Sequence, residues 1–195
     1  MDLTARLYLV LLGLVGLGRL LELRISRRHV RELAARGAAQ RPEPRFRWMV
    51  LLHTSALIFA GLEVGILRRP FIPALAAVMG AIFLLANALR WWVIRSMAEH
   101  WNVRVVSSVS LGVVTRGPFR WIRHPNYVAV FVELLALPLL HGAWLTALAF
   151  GLLHLGVLYD RIALEERVLL TDAAYREVMA HKPRFVPRPW QWWMS

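Results

Sequence analysis

The sequence predicts an all-α integral membrane bundle of about five transmembrane helices. Three observations predict it. Hydrophobic residues make up 58% of the 195 residues, above the ~45–50% of soluble domains. They gather in long, nearly uncharged runs. The formal net charge of +12 comes almost wholly from arginine, with Lys182 the only lysine, and the arginines sit between the runs.

Run one covers Leu3–Leu21. No small-residue cleavage site follows it, and Arg19 and Glu22 stand at its end, so it is read as a retained helix rather than a signal peptide. Run two covers Trp48–Leu67. Run three extends over 71–94 and starts beside Pro70 and Pro73, since proline suits a first helical turn. Run four, Tyr127–Leu140, is short of the ~20 apolar residues of a full span. Run five, with its polar continuation, covers 143–160. Runs four and five form a helical hairpin turning at His141–Gly142. The whole chain, 1–195, is read as one membrane domain.

Loop charge sets the expected orientation. Arg24, Arg27, Arg28, Arg31, Arg36, Arg41, Arg45 and Arg47 lie between runs one and two. Arg95, Arg104, Arg116, Arg120 and Arg123 lie between runs three and four. Arg161, Arg167, Arg176, Lys182, Arg184 and Arg188 follow run five. The other side has Arg6, Arg68 and Arg69. Cytosolic loops carry the excess of basic residues, which places the N-terminus outside and the C-terminus inside. In this setting the positive charge points to lipid headgroups, not to nucleic acid. The segment Gln40–Pro44 reads as a turn. Trp190, Trp192 and Trp193 read as an interfacial anchor.

The chain has no cysteine, which excludes disulfides and thiolate chemistry. Its seven histidines show no ligand spacing beside a carboxylate, so no metal site is expected. No phosphate-binding loop, serine nucleophile elbow or dinucleotide fingerprint is present, and nothing specifies an oligomeric state.

The polar residues collect on one side in two stretches. Arg123-His124-Pro125-Asn126-Tyr127 starts a helix, with Pro125 at its first position and His124 at its cap. It reads either as an anion-binding helix start or as a plain helix start with snorkelling arginines. Asp160-Arg161-Ile162-Ala163-Leu164-Glu165-Glu166-Arg167 reads either as a solvated helix with ion pairs such as Arg161–Glu165 or as part of a site. The hairpin brings the two stretches side by side. Glu63, Asn87 and Glu133 stand out within the spans, where a carboxylate is costly. Glu63 reads as structural. Glu133 reads as a pocket group or as packing glue. Gly61 and Gly65 give a weak close-packing cue.

Gly117-Pro118-Phe119-Arg120-Trp121-Ile122-Arg123-His124-Pro125-Asn126-Tyr127, an apolar hairpin, Asp160-Arg161 with Glu165-Glu166, Tyr175 and Arg184-Phe185-Val186-Pro187 together resemble the isoprenylcysteine carboxyl methyltransferase family. The resemblance spans about residues 91–187. It is nearest to a bacterial branch that methylates alkylpyrones and related phenolic lipids, on the stretches 89–95, 101–105 and 133–139. One departure is Ala129, where many relatives carry glycine.

The resemblance implies an enzyme that uses S-adenosyl-L-methionine to methylate an anionic oxygen of a lipophilic or prenylated substrate drawn from the membrane. Arg123 and Arg161 would be catalytic. His124, Pro125 and Tyr127 would bind the cofactor, with Glu165 or Glu166 on its ribose or amino group, and Trp91, Arg95 and Glu133 are expected to meet the substrate. The site would face the cytosol, in a bacterial inner membrane. Two alternatives stand beside it: a nicotinamide-dependent reductase of a sterol-like or polyprenyl lipid, and a scaffold without catalysis.

Overall fold

The computed structural model describes residues 1–37, 39–40, 46–103, 106–107 and 112–188. Arg41, Arg45, Arg104 and the tail tryptophans Trp190, Trp192 and Trp193 lie outside the described residues, as does most of the expected 40–44 turn.

Five long helices form a bundle: α1 (Leu3–Ala35), α2 (Phe46–Ile66), α3 (Pro73–Met97), α4 (Pro125–Leu139) and α5 (Trp144–Leu169). A short α6 (Ala173–Met179) follows. A two-residue antiparallel pair, Ala39–Gln40 with Val106–Ser107, joins two connecting segments. Three helices, α2, α3 and α5, are long and apolar enough to cross a membrane by length and composition, and α4 is a shorter apolar helix. The outward faces carry exposed Leu84, Leu85, Leu152 and Leu153, a surface suited to lipid rather than water.

Local chemistry explains the ends. Asp2 accepts the Ala5 N–H and caps α1, as short polar side chains do at helix starts. Pro73 opens α3 and Pro125 opens α4. Between α4 and α5 the chain turns tightly through His141–Gly142, with Gly142 at φ 70° in the left-handed region that glycine tolerates. The start of α5 has no cap of its own. Glu63 of α2 supplies one, accepting the N–H groups of Leu145 and Thr146 and the Thr146 hydroxyl. Arg69 completes that carboxylate's partners.

The main departure from the sequence reading is α1, which continues past Leu21 to Ala35. Its polar second half is held by tertiary contacts rather than by an apolar stripe. Buried Ser26 accepts the Val103 N–H, and His29 Nδ1 donates to the Trp101 carbonyl. Leu33 is 1% exposed. Helix α5 likewise runs on to Leu169, carrying the acidic stretch as one rod with the span.

A core cluster of Tyr8, Leu12, Ala60, Val64, Phe83, Ala136 and Leu137 joins α1 to α4. The Tyr8 hydroxyl donates to the Leu137 carbonyl there. A second cluster, Val93, Phe119, Tyr175 and Met179, seats α6 against α3.

Candidate active site

Helix α4 begins where two chain segments meet. The N–H groups of Arg123 and His124 donate to the carbonyls of Pro183 and Arg184 at 2.9 and 3.0 Å. The C-terminal segment is thus tied onto the helix start like a short strand. His124 occupies the cap position, but its side chain makes no capping bond. The ring turns instead to α5, where Nε2 meets Glu166 Oε1 at 3.0 Å.

Glu166 gathers further donors. Arg184 reaches it through Nε and Nη2 at 3.0 and 2.6 Å, and Arg123 Nη1 lies 3.1 Å away. Hydrogen bonding to Glu166 raises the Arg184 guanidinium above its usual range. Glu166 therefore clamps α4, α5 and the C-terminal segment together.

Its neighbour Glu165 faces differently. The Tyr127 hydroxyl donates to Glu165 and accepts from Arg161 Nε at 2.9 Å. Arg161 also donates to the Val103 carbonyl and reaches Met49 Sδ at 2.9 Å. This fixes the guanidinium beside the Tyr127 ring. Tyr175 of α6 stands nearby. Burial, then the Glu165 carboxylate, push its hydroxyl well above the ordinary tyrosine value, so it stays neutral.

These groups border a cavity of about 480 Å³, within the range of small-molecule sites. Arg123, His124, Pro125, Tyr127, Arg161 and Glu165 line its mouth, and Leu12, Val15, Leu57, Ala60 and Leu137 its interior. Glu166 is not among the lining residues. Two buried atoms at the mouth, Arg123 Nε and Asn126 Oδ1, have no partner among the described residues.

Halfway in lies a charged quartet. Arg19 bonds Glu22 at 2.8 Å and Glu133 at 2.9 Å. Arg90 pairs with Glu22 and lies 3.7 Å from Glu133. All four line the cavity.

Two of the expected substrate residues stand apart from the cavity. Trp91 and Arg95 are exposed and do not line the cavity. The inward face of α3 carries Phe83, Arg90 and Met97, and 91 and 95 are rotated off that face by the ~100° per residue of an α-helix. Arg90, to which the sequence assigns no role, is buried and lines the cavity. Its charge inside an apolar run was the available signal, as it was for Arg19 and Glu22. Ala129, at 0% exposure, borders a small second pocket between α3 and α4 together with Ala86, and it does not line the cavity.

A membrane-embedded helical bundle thus encloses a pocket that is charged at one end and apolar at the other. Residues 78–171 match the family model of the isoprenylcysteine carboxyl methyltransferase (ICMT) family.

Relatives include the uncharacterized protein YpbQ of Bacillus subtilis (strain 168), 26% identical over 84% of this chain and 96% of the relative. An uncharacterized protein of Haemophilus influenzae is 29% identical over 77% of this chain and 88% of its own. The fold is similar to the structure of the eukaryotic intramembrane Ras methyltransferase ICMT, with TM-score 0.51 and 23% identity, covering 69% of this chain. This chain spans about half of that protein's length (51%).

Proposed function

We propose that this protein is an S-adenosyl-L-methionine-dependent O-methyltransferase acting on an anionic oxygen of a membrane lipid-like substrate. The acceptor class comprises carboxylates, such as a prenyl-cysteine, and enolates or phenolates, such as an alkylpyrone. The observation that carries the reading is a cavity running from charged mouth to apolar interior. A water-soluble, charged co-substrate fits the first part and a lipid tail the second.

The mouth suits a zwitterionic cofactor. The orphaned Arg123 Nε and the start of α4 favour its carboxylate. Glu165 and the orphaned Asn126 Oδ1 favour its amino and hydroxyl donors. When bound, the cofactor supplies an electrophilic methyl group on a sulfonium. The protein has little proton chemistry to perform, because a carboxylate or an acidic enol is already anionic near neutral pH. Arg161, held rigid by Tyr127 and Val103, orients the acceptor oxygen and balances its charge. Burial excludes water from the reacting pair, and positioning of this kind supplies ~7–11 kcal/mol in well-aligned reactions. The arginine-rich loops favour an outside N-terminus and a cytosolic mouth.

Calorimetry on the purified protein tests the cofactor. S-adenosylhomocysteine is expected to bind, and NADPH is not. Binding of NADPH alone overturns the proposal in favour of a reductase.

A further inference from the structure

Unpartnered buried polar atoms also occur deeper in the cavity, away from the cofactor residues. Among the described residues they are His53 Nε2, both ring nitrogens of His154 and Glu133 Oε1, and all three residues line the cavity. Glu133 lies two helical turns inward from Asn126 on α4. His154 lies two turns back from Arg161 on α5, toward the hairpin. Because α4 and α5 are the two arms of one hairpin, both positions lie on the inner side of the mouth. His53 joins them from α2. Its ring meets that of His154 edge-on, with centroids 4.9 Å apart. Phe131 stacks on His154 at 6.2 Å.

The hydrogen-bond character of this station follows from its fixed partners. His53 Nδ1 faces the Met49 carbonyl at 2.7 Å. A carbonyl only accepts, so Nδ1 carries the proton and Nε2 is a bare acceptor. A neutral His154 offers one donor and one acceptor. Glu133 Oε1 accepts, and the same carboxylate's Oε2 is already held by Arg19. The station therefore presents three acceptors and one donor. Buried polar groups are as a rule satisfied. These are ringed by apolar walls such as Leu158, Val130 and Ala56, so a ligand is the natural partner. An anion would meet mostly acceptors. A neutral hydroxyl can donate to one of these acceptors and accept from the one donor.

We infer that His154, with His53 and Glu133, forms a second recognition point that reads a neutral hydroxyl on the substrate, set between the methyl-accepting oxygen and the apolar tail. The inference rests on the methyltransferase reading for what fills the cavity. It makes His154 a specificity-determining residue, not a participant in methyl transfer. His154→Phe keeps the ring volume and the Phe131 stack but removes both nitrogens. His154→Asn returns one donor and one acceptor.

The test uses two lipids with the same pentadecyl tail, a 5-alkylresorcinol and a 3-alkylphenol, differing by one hydroxyl. Their binding to the full-length protein in detergent is read by tryptophan quenching, with S-adenosylhomocysteine binding measured alongside. The wild type is expected to bind the resorcinol about tenfold more tightly, equivalent to ~1.4 kcal/mol. His154→Phe is expected to bring the ratio close to unity with phenol affinity and S-adenosylhomocysteine binding unchanged, and His154→Asn to restore part of the preference. His53→Phe is expected to lower the ratio in the same direction and serves if His154→Phe does not fold. Equal wild-type affinity for the two lipids, or a preference that survives both phenylalanine variants, overturns the inference. Loss of S-adenosylhomocysteine binding in the wild type would instead defeat the methyltransferase reading, while the lipid ratio still decides the hydroxyl site.

Discussion

Glu166 and Glu165 are adjacent in sequence, yet the structure gives them separable duties, and replacing each by glutamine should show it. Glu166 is 9% exposed at its side chain and faces Arg123 (13%), His124 (1%) and Arg184 (54%). Removing one partner of a buried pair costs ~3–5 kcal/mol because the other charge stays behind. Two features reduce that figure here. Arg184 is half exposed, where pairs contribute only ~0–1 kcal/mol, and glutamine keeps one accepting oxygen. The expected loss for Glu166→Gln is then about 2–3 kcal/mol, or roughly 5–10 °C in Tm for a chain of this size. Unfolding followed by tryptophan fluorescence in detergent micelles reads it directly, since the chain has nine tryptophans. Glu165→Gln should leave Tm within about 2 °C but weaken S-adenosylhomocysteine binding roughly tenfold or more, as a lost charged hydrogen bond does. A Glu166→Gln protein that melts with the wild type would refute the clamp. So would a Glu165→Gln protein that loses stability and keeps its affinity.

Arg161→Ala should lower turnover roughly 100-fold while changing S-adenosylhomocysteine affinity by less than about threefold, and Arg161→Lys should not rescue it, because a lysine has no planar fork for Tyr127 and Val103 together; normal turnover in steady-state methyl transfer would remove its assigned role. Glu63→Ala should destabilise by about 1–3 kcal/mol through the lost α5 cap and the stranded Arg69, read as a lower Tm with unaltered cofactor binding. Gly117→Ala should be far more damaging than Gly151→Ala. Gly117 has φ +61° and a Cβ there would lie 1.9 Å from Ser96 Oγ, whereas at Gly151 the obstacle is a mobile Leu135 methyl at 2.7 Å. Comparable yields and melting temperatures for the two alanine variants would contradict the structure.

The membrane class, the tight turn at Gly142 and the meeting of the Arg123–Tyr127 and Asp160–Glu166 stretches were legible in the sequence. Each follows from apolar run length, proline and glycine chemistry or hairpin topology. The second half of α1 was not legible. Most of its residues from Arg24 to Arg36 are polar, and what orders them is the loop at 101–103, far away in sequence. The division of labour between Glu165 and Glu166 was also hidden. Adjacent helical residues point ~100° apart, and only the position of the C-terminal segment decides which of them meets Arg184. The same rotation separates buried Arg90 from exposed Trp91. His53 and His154 come from different helices with no shared motif, so no spacing in the chain could pair them.

The quartet Arg19, Glu22, Arg90 and Glu133 explains how one cavity holds both a charged mouth and an apolar interior. A lone charge at this depth is expensive, by ~2.5–3.5 kcal/mol on insertion scales. Two cations and two anions in mutual contact cancel formally and lower that cost. The pairing has a consequence for shape. Arg19 and Glu22 come from α1, Arg90 from α3 and Glu133 from α4. Two of the ion pairs, Arg19–Glu133 and Arg90–Glu22, therefore cross-link helices that do not follow one another in the chain. That holds the cavity wall at fixed width where apolar packing alone would let it collapse. Saturating the carboxylates fully would have closed the polar part of the cavity. Instead Arg19 and Arg90 both approach Oε2 of Glu133, and Oε1 is left buried without a partner among the described residues. The same residues that make a charge tolerable inside the bilayer thus leave one acceptor open between the charged mouth and the apolar interior of the cavity.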